Sequence, residues 1–364
     1  MHVNIPIFMP QLGCPFHCLF CDQQKISSQH QVPGMDETVD TIEQHLATIP
    51  PDADTEIAFF GGNFTSLPVL LQEQYLNTVK PFLESGQISS LRVSTRPDCI
   101  DQVILRRLRS YGVKTVELGV QSLNDNVLQR SGRGYKAEQV LLSCQMIKDC
   151  GLQLGIQLMV GLPGDNLEAD LQTIDEVIKL NPAMVRIYPT LVIEGTALEH
   201  MYQQGDYTPL VLNEAVKIVA LMYMRLQFHK IKVIRMGLQP SEDLLKPGTV
   251  VAGPFHPAFG ELVEQEVYRL QAVEAINKFI SNCGSAKRLV LFVNSREVSK
   301  LVGCRRSNLN NLSQYFNLDK LSVRQLHSNN ISFIGVASDG KDSPELTYSR
   351  EEFLAAVTNS TQQF

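Results

Sequence analysis

Short apolar and β-branched runs recur up to about residue 240, and amphipathic stretches separate them. The stretch DETVDTIEQHLATI places Ile42 and Leu46 on one face, which predicts a helix with Asp36 as its N-cap. Repeated strand–helix units with short loops predict an α/β fold, a parallel sheet partly or fully closed as a (β/α) barrel. The apolar runs predict seven strands, at Asn4–Phe8, Glu56–Phe60, Leu91–Thr95, Thr115–Gln121, Gln153–Val160, Met184–Pro189 and Ile231–Met236.

This alternation breaks near residue 240, where VVAGPFHPAFGELVEQEVY carries Gly and Pro breakers before a helical segment. One strand, RLVLFVN, and two short helical pieces, SREVSKLVG and RRSNLNNLSQYF, follow it. We therefore expect the barrel to occupy residues 1–245 and a small C-terminal α/β module to occupy residues 246–364.

The composition is that of a folded globular protein, with 44% hydrophobic and 19% charged residues. The net charge of −6 excludes a general electrostatic attraction to nucleic acid, so any such site has to be a local patch. The N-terminal residues MHVNIPIFMPQLGC show neither a basic region nor a long apolar one, and no apolar run is long enough to span a membrane. We expect a cytoplasmic protein whose eight cysteines are reduced thiols or metal ligands.

Three of those cysteines, Cys14, Cys18 and Cys21, follow the first predicted strand with the spacing C-x3-C-x2-C. A four-iron cluster takes four thiolates, so three leave one iron open. A structural zinc site needs a fourth ligand at short spacing, and His17 adjoins Cys18 while His30 matches no common zinc signature. The residues therefore favour a [4Fe–4S] cluster at the end of a barrel strand, where such folds carry their chemistry.

A glycine pair, Gly61 and Gly62, ends the second predicted strand in FFGGNFTSLP. Glycines there allow the backbone to approach a ligand closely. The alternative, which these residues alone favour, is a tight turn in which Thr65 or Ser66 caps the next helix.

The cysteine motif, with Phe20 immediately before its last cysteine, resembles the signature of radical S-adenosylmethionine (SAM) enzymes. The resemblance implies that SAM chelates the open iron, that an electron from the cluster cleaves it to a 5′-deoxyadenosyl radical, and that Phe20 lies against the adenine. It also implies that the Gly61–Gly62 loop and a following acid hold the methionine ammonium. This chain has Asn63 in place of the acid, and an amide supplies no countercharge.

The same resemblance guides the interpretation of the other strand ends. Ser94 and Arg96 end the third strand and are expected at the cofactor, with Arg96 facing the methionine carboxylate or, alternatively, pairing with a surface acid. Glu117 and Gln121 share one strand face and are expected to point inward, toward the ribose hydroxyls or the substrate. Glu117, Gln121 and the three cysteines are the candidate catalytic residues. Gly161, in QLMVGLPGD, is expected under the adenine.

Longer segments resemble the radical domain of the Elongator catalytic subunit and its bacterial relatives, over about residues 3–270. The family modifies the wobble uridine of transfer RNA, so the resemblance implies a transfer RNA base as substrate. Two departures leave alternatives open: the short cysteine spacing resembles the class of oxygen-independent coproporphyrinogen oxidase, and no acetyl-CoA loop is recognisable. The alternatives are an oxidoreductase acting on a small molecule such as a tetrapyrrole, and a non-enzymatic metal-binding module. The segments are FFGGNFTSLP, STRPDCI, VELGVQSLNDNVL, GLPGD, RIYPTLVIEGTALE, RMGLQPS and VAGPFHPAFGELVE.

A basic region in the C-terminal module is the candidate contact for transfer RNA. Between residues 283 and 330, eight Lys or Arg stand against two acids, and the alternative is a solvated helical face. We also expect a reducing electron donor as a partner. His256, between two prolines, either packs or contacts substrate. The eight basic residues are Lys287, Arg288, Arg296, Lys300, Arg305, Arg306, Lys320 and Arg324.

Overall fold

The computed structural model describes residues 2–10, 12, 14, 18–284, 286–327 and 332–360. The chain forms two compact units. The first consists of Met1–Ala215 and Ile231–Pro257, and the second of Val216–Lys230 and Ala258–Phe364. The first unit thus continues to Pro257, beyond the boundary expected near 245, and the second unit also takes part of an earlier helix.

The first unit is built on a parallel sheet of seven strands in the order β1-β2-β3-β4-β5-β6-β8. This confirms the α/β partial barrel and the seven predicted strands. Two short strands, β7 and β9, pair antiparallel outside that sheet. The strands are β1 (His2–Met9), β2 (Asp54–Gly61), β3 (Ser90–Thr95), β4 (Val113–Gln121), β5 (Gln153–Val160), β6 (Met184–Pro189), β7 (Val192–Ile193), β8 (Val233–Met236) and β9 (Val250–Ala252).

Helices connect these strands, as parallel pairing requires. The expected N-cap of α2 was wrong: the cap is Gly34, whose N–H donates to Glu37 Oε2 at 2.9 Å, and Asp36 lies in the first turn. Acids there still favour the helix through its dipole. The helices are α1 (Gln23–Ser27), α2 (Met35–Leu46), α3 (Val69–Glu84), α4 (Gln102–Ser110), α5 (Asp125–Arg130), α6 (Ala137–Asp149), α7 (Leu167–Leu180), α8 (Ala197–Gln204), α9 (Leu212–Phe228) and α10 (Glu242–Leu245).

The two faces of the large sheet differ in chemistry. Residues such as Leu118, Ile156 and Ile187 are fully buried in the hydrophobic core. Alternate positions on the same strands carry charge, including Glu117 and Arg186. Since successive side chains point to opposite faces, the inner surface of the partial barrel is polar and the outer surface is apolar.

The second unit contains a mixed sheet in the order β11-β10-β12-β13, with β10 and β11 parallel and the other pairs antiparallel. It is the α/β module that was expected, with one correction: four strands are present where one was anticipated. The strands are β10 (Arg288–Asn294), β11 (Lys320–Leu326), β12 (Phe333–Ser338) and β13 (Leu346–Ser349). The helices are α11 (Phe259–Cys283), α12 (Val298–Val302), α13 (Ser307–Tyr315) and α14 (Arg350–Ser360).

No helix in the described part of the chain is long and apolar enough to cross a membrane.

Candidate active site

The cysteine loop follows β1, at the end of the sheet where parallel strands finish. Cys21 N donates to Cys18 O at 3.1 Å, which folds the last two cysteines into a tight turn. Asp22 then caps α1 by accepting from Lys25 N at 3.0 Å. His17, set aside as a ligand from the sequence, lies outside the described residues.

Two guanidinium groups face Cys18. Arg133 Nη1 lies 3.0 Å from Cys18 Sγ, and Arg96 Nη1 lies 3.7 Å from it. Arg133 is held rigidly, since its Nη2 donates to Gly119 O at 2.6 Å and its Nε donates to the Tyr135 hydroxyl at 2.9 Å. These two guanidinium groups place buried positive charge beside the cysteine loop.

Sequence reasoning missed Arg133. The only signal was in SGRGYK, where the arginine lies between two glycines and an aromatic residue follows the second glycine. Gly132 and Gly134 both have positive φ, at 69° and 77°, and they bend the chain so that Arg133 turns back toward Cys18.

Arg96 pairs with an acid, which was one of the two expectations for it. Its Nε and Nη2 donate to the two carboxylate oxygens of Asp98, each at 2.9 Å, and Nη2 also donates to Arg133 O at 2.5 Å. The bidentate edge of the guanidinium is therefore used by Asp98, and Nη1 faces Cys18.

The glycine loop packs directly against the beginning of the cysteine loop. Gly62 N donates to Met9 O at 2.7 Å, and Asn63 N donates to Leu12 O at 2.8 Å. A Cβ on Gly62 would lie 2.1 Å from Leu12 O, so only glycine fits there. Gly61 has φ +91°, and its carbonyl accepts from Gln23 Nε2 at 2.9 Å.

Asn63 is buried and its amide is used within the protein. Nδ2 donates to Ser66 Oγ at 2.7 Å, while Oδ1 accepts from Thr95 Oγ1 at 2.5 Å. Thr65 Oγ1 is hydrogen-bonded to the same Thr95 hydroxyl. This network ties the glycine loop to the end of β3.

Phe20 and the loop after β5, both expected at the adenine, lie in one apolar cluster. Phe20 packs there with Met159, Leu162 and Tyr207. Gly161 has φ +75°, and its carbonyl accepts from the Tyr207 hydroxyl at 2.6 Å. Cys18 and Cys21 pack against this cluster, so its apolar side chains lie next to two of the three cysteines.

Glu117 lies on the inner face of the sheet within a buried ion network. Its Oε2 is 3.2 Å from Arg186 Nε and 3.5 Å from Arg92 Nη1. Arg92 also pairs with Glu56, with Nη2 at 2.5 Å and both side chains 2% exposed. Buried charges are tolerated only when paired in this way.

Gln121 and Ser94 lie near that network. Gln157 Nε2 donates to Gln121 Oε1 at 2.7 Å, across β4 and β5. Ser94 is opposite Glu117 in the β3–β4 register, and its Oγ is buried without a hydrogen-bond partner among the described residues. An orphaned hydroxyl beside the site is a donor available to a bound molecule.

Burial raises the pKa of the Cys21 thiol to about 12, and repulsion from Cys18 and Cys14 adds to it. Burial likewise raises the pKa of Cys14, while Arg96 and Arg133 oppose the rise. Across the described ranges, no three His, Cys, Asp or Glu side chains are gathered as a metal-ligating group. The donor types and their cationic surroundings nevertheless fit an anionic iron–sulfur cluster, because cysteine binds a metal as the thiolate and nearby guanidinium groups favour that negative charge. The orphaned Ser94 hydroxyl and the apolar surface at Phe20 fit a nucleoside cofactor.

The basic region of the second unit is partly neutralised. Arg288 and Lys320 both pair with Asp339 at 3.1 Å, and Lys300 pairs with Glu264 at 2.6 Å. Arg324 pairs with Asp342, and Lys287 Nζ donates to Asn317 O at 2.9 Å. Arg296, Arg305 and Arg306 are exposed and form no ion pair within the part of the chain that the structure describes. His256 lies in the first unit, after β9, and is partly buried.

The chain is similar in sequence and in fold to known proteins. The family model described as "Radical SAM superfamily" matches residues 8–177, and the model described as "Radical_SAM C-terminal domain" matches residues 182–269. A solved structure, the archaeal Methanocaldococcus infernus Elp3 with an N-terminal deletion, is similar with a TM-score of 0.58 and 24% identity. That match covers 78% of this chain and 63% of the other.

Curated relatives carry related names. The tRNA uridine(34) acetyltransferase of Methanocaldococcus jannaschii is 30% identical over 204 residues, which are 50% of this chain and 38% of that protein. Elongator complex protein 3 of Schizosaccharomyces pombe is 30% identical over 187 residues, 45% of this chain and 34% of that protein. The chain therefore matches less than half the length of these two relatives.

Proposed function

The chain belongs to the radical SAM superfamily, and on that premise we propose that it modifies a base of transfer RNA. As a radical SAM enzyme it uses a [4Fe–4S] cluster and SAM. The observation that carries the substrate proposal is the similarity to the tRNA uridine(34) acetyltransferase of Methanocaldococcus jannaschii, whose name gives transfer RNA uridine as its substrate. The cytoplasmic location expected from the sequence belongs to the same proposal.

We assign the cofactor roles to residues of the first unit. Cys14, Cys18 and Cys21 hold the cluster, which when bound supplies the electron that cleaves SAM to the 5′-deoxyadenosyl radical. Arg133 keeps positive charge at Cys18. Phe20 presents an apolar face to the adenine, and the Ser94 hydroxyl has a hydrogen bond to donate to the bound cofactor.

The remaining cofactor roles concern residues that already have partners. The carbonyl groups of Gly61 and Gly62 face the methionine ammonium, and Asn63 acts by holding that loop in place. Glu117 and Gln121 orient the ribose or the substrate from the inner face, and Gly161 shapes the loop under the adenine. Arg96 supports Arg133 and adds its charge near Cys18.

The alternatives are less well supported. Membership of an enzyme superfamily favours catalysis over a non-enzymatic metal-binding module. The name of the relative from Methanocaldococcus jannaschii, a tRNA uridine(34) acetyltransferase, favours transfer RNA over a tetrapyrrole.

Anaerobic reconstitution with iron and sulfide tests the enzyme proposal. We expect about four iron per chain and reductant-dependent formation of 5′-deoxyadenosine from SAM. Cys18→Ser should lose both, whereas Cys283→Ser, an exposed cysteine at the end of α11, should keep both. Deuterium transfer from labelled transfer RNA into 5′-deoxyadenosine would support the substrate. Normal cleavage of SAM without any effect of transfer RNA would refute the substrate while leaving the enzyme class intact.

Within the basic region, we propose that the turn of Arg305 and Arg306 contacts the RNA. Both residues are exposed in the turn between α12 and α13, and both have left-handed backbones, with φ of 51° and 63°. A residue other than glycine with a left-handed backbone costs about 1 kcal/mol of stability, and residues strained in this way tend to cluster at functional sites. Lys287 and Arg288 are secondary contacts, since both are already engaged.

Neutralising variants test this turn. Arg305→Gln with Arg306→Gln should weaken transfer RNA binding several-fold and reduce the salt dependence by about one to two released counterions. The matched control, Lys80→Gln with Lys179→Gln, changes the net charge equally but removes cations of the first unit that Glu84 and Glu176 already pair. Equal losses in both double variants would show that only the overall charge matters.

A further inference from the structure

An arginine on the last strand of the large sheet, Arg235, faces the inside of the partial barrel. Val185 and Ile187 on β6 are fully buried in the core, so Arg186 between them points to the opposite, inner face. Arg186 and Arg235 are direct partners in the parallel β6–β8 register. The register shifts by one residue just before this pair, so that Ile234 has no partner on β6, and it is regular again from Arg235 to Met236. Partners in a parallel pair share a face, so Arg235 starts from the same inner face as Arg186.

Among the charged strand residues on the inner face, one positive charge is then left without a carboxylate partner in the described ranges. Glu56 pairs with Arg92, and Glu117 pairs with Arg186. Arg235 is partly buried and forms no ion pair with any carboxylate of the described ranges. Two guanidinium groups that start from neighbouring strands repel each other, and an anion bound between them would offset that repulsion.

Neighbouring side chains hold the Arg186 guanidinium in place. Its guanidinium lies over the Phe60 ring at 4.7 Å, and its Nη1 donates to the Tyr188 hydroxyl at 3.2 Å. Its Nε is buried and, although 3.2 Å from Glu117 Oε2, makes no hydrogen bond among the described residues. A rigid cation beside a second cation that has no carboxylate partner in the described ranges is an arrangement that binds an anion.

This pair lies on the surface that leads to the cysteines. Gln157 is the register partner of Arg186, and Gly119 is the register partner of Gln157. Gly119 O accepts from Arg133, whose other nitrogen reaches Cys18. Three strand spacings, about 14 Å along the sheet, separate Arg235 from Gly119.

We propose that Arg235 and Arg186 form an anion site inside the partial barrel, which holds the carboxylate of a substrate. The single unbalanced charge matches a carboxylate, which carries one negative charge and accepts bidentate hydrogen bonds from a guanidinium. The inference rests on the proposed function and deepens it, because it assigns a chemical class to a molecule used alongside the nucleic acid.

Trifluoroacetate is a suitable probe, since it is a small carboxylate whose ¹⁹F signal broadens on binding. The reconstituted, unreduced protein is first saturated with SAM, so that the probe does not occupy the place of the methionine carboxylate. Arg235→Gln should weaken trifluoroacetate binding by roughly ten- to hundredfold, the loss expected for a charge-assisted hydrogen bond. Arg235→Lys should retain part of the affinity. The matched control Lys232→Gln, an exposed cation next to β8, should bind as the unaltered protein does.

Unchanged binding in Arg235→Gln, or equal loss in Lys232→Gln, would overturn the site. Displacement of the probe by phosphate at far lower concentration than by acetate would overturn the carboxylate assignment. Arg235→Gln leaves no carboxylate unpaired, so it should fold, and SAM affinity measured in parallel checks this. The assay needs neither reductant nor transfer RNA, so its failure and that of the proposed function are distinguishable.

Discussion

At the scale of single residues, close backbone packing explains the glycine pair that follows β2. The N–H of Gly62 donates to Met9 O, and a Cβ there would lie 2.1 Å from Leu12 O and 2.7 Å from Met9 O. Those oxygens belong to the backbone that leads into the cysteine loop, so they move only if that loop moves. Gly62 thus also determines where the loop that carries Cys14 begins.

Gly62→Ala should therefore displace the cysteine loop. We expect a loss of about 1–3 kcal/mol in the free energy of unfolding and a lower iron content after reconstitution. Gly34→Ala is the control, since its Cβ would meet nothing nearer than 3.9 Å and its φ is −66°. That change should cost at most about 1 kcal/mol, as an altered helix cap, and leave the iron content unchanged. Normal iron content in Gly62→Ala would contradict this account.

At the scale of elements, a pair of acids joins the loop after β5 to α7. Asp165 accepts from Gly161 N at 3.1 Å and from Asn166 N at 2.9 Å. Asp170, in the first turn of α7, is hydrogen-bonded to Asp165. Burial raises the pKa of both carboxyl groups, and repulsion by Asp165 raises that of Asp170 further. The raised pKa values favour a proton between the two carboxyl groups, and that proton links the Gly161 loop to the helix.

This arrangement predicts a pH-dependent stability. Because the native pKa of Asp170 exceeds its unfolded value of about 3.9, its contribution is complete below that pH and is lost as pH rises through the native pKa. Asp170→Asn keeps a donor to Asp165 and removes the titration. We expect it to be more stable than the unaltered protein at pH 8 by about 1–2 kcal/mol, and to have no advantage near pH 4.

Urea denaturation at several pH values measures this difference. The control is Glu168→Gln on the same helix, which is exposed and accepts from Gln172 Nε2 at 3.2 Å. It should shift stability little, and equally at each pH. An Asp170→Asn variant that is less stable throughout the range would show that the pair is held by something other than a shared proton.

At the scale of the whole molecule, the proposed roles divide between the two units. The residues assigned to the cluster and SAM all belong to the first unit, while the unpaired Arg305 and Arg306 belong to the second. The chain as a whole carries a charge of −6. Nucleic-acid binding thus depends on a small exposed group of cations rather than on the general field of the protein.

Hydrogen exchange tests this division. Adding SAM to the reconstituted protein should slow amide exchange around residues 61–66, 94–99 and 157–165, because a bound ligand opposes local opening. Strands β10–β13 should exchange at their previous rate. Protection confined to the second unit would contradict the assignment of the cofactor.

Much of the fold was predictable from local sequence. Buried parallel strands consist of nearly continuous apolar residues, so all seven strands of the large sheet were located from the sequence. The second unit was harder, because β11 is largely polar and exposed, and β13 has only four residues. The N-cap of α2 was predicted two residues too late, at Asp36. The cap is Gly34, whose backbone N–H donates to the Glu37 carboxylate.

The sequence by itself determined the positions of the strands, the cysteine spacing and the placement of polar residues at strand ends, because these depend on neighbours within a few positions. Tertiary structure decided which charges meet. Arg133 reaches Cys18 across 115 positions, Arg96 is occupied by Asp98, and Arg235 remains unmatched beside Arg186. Ion pairs depend on distances across the folded sheet, and spacing along the chain does not encode them.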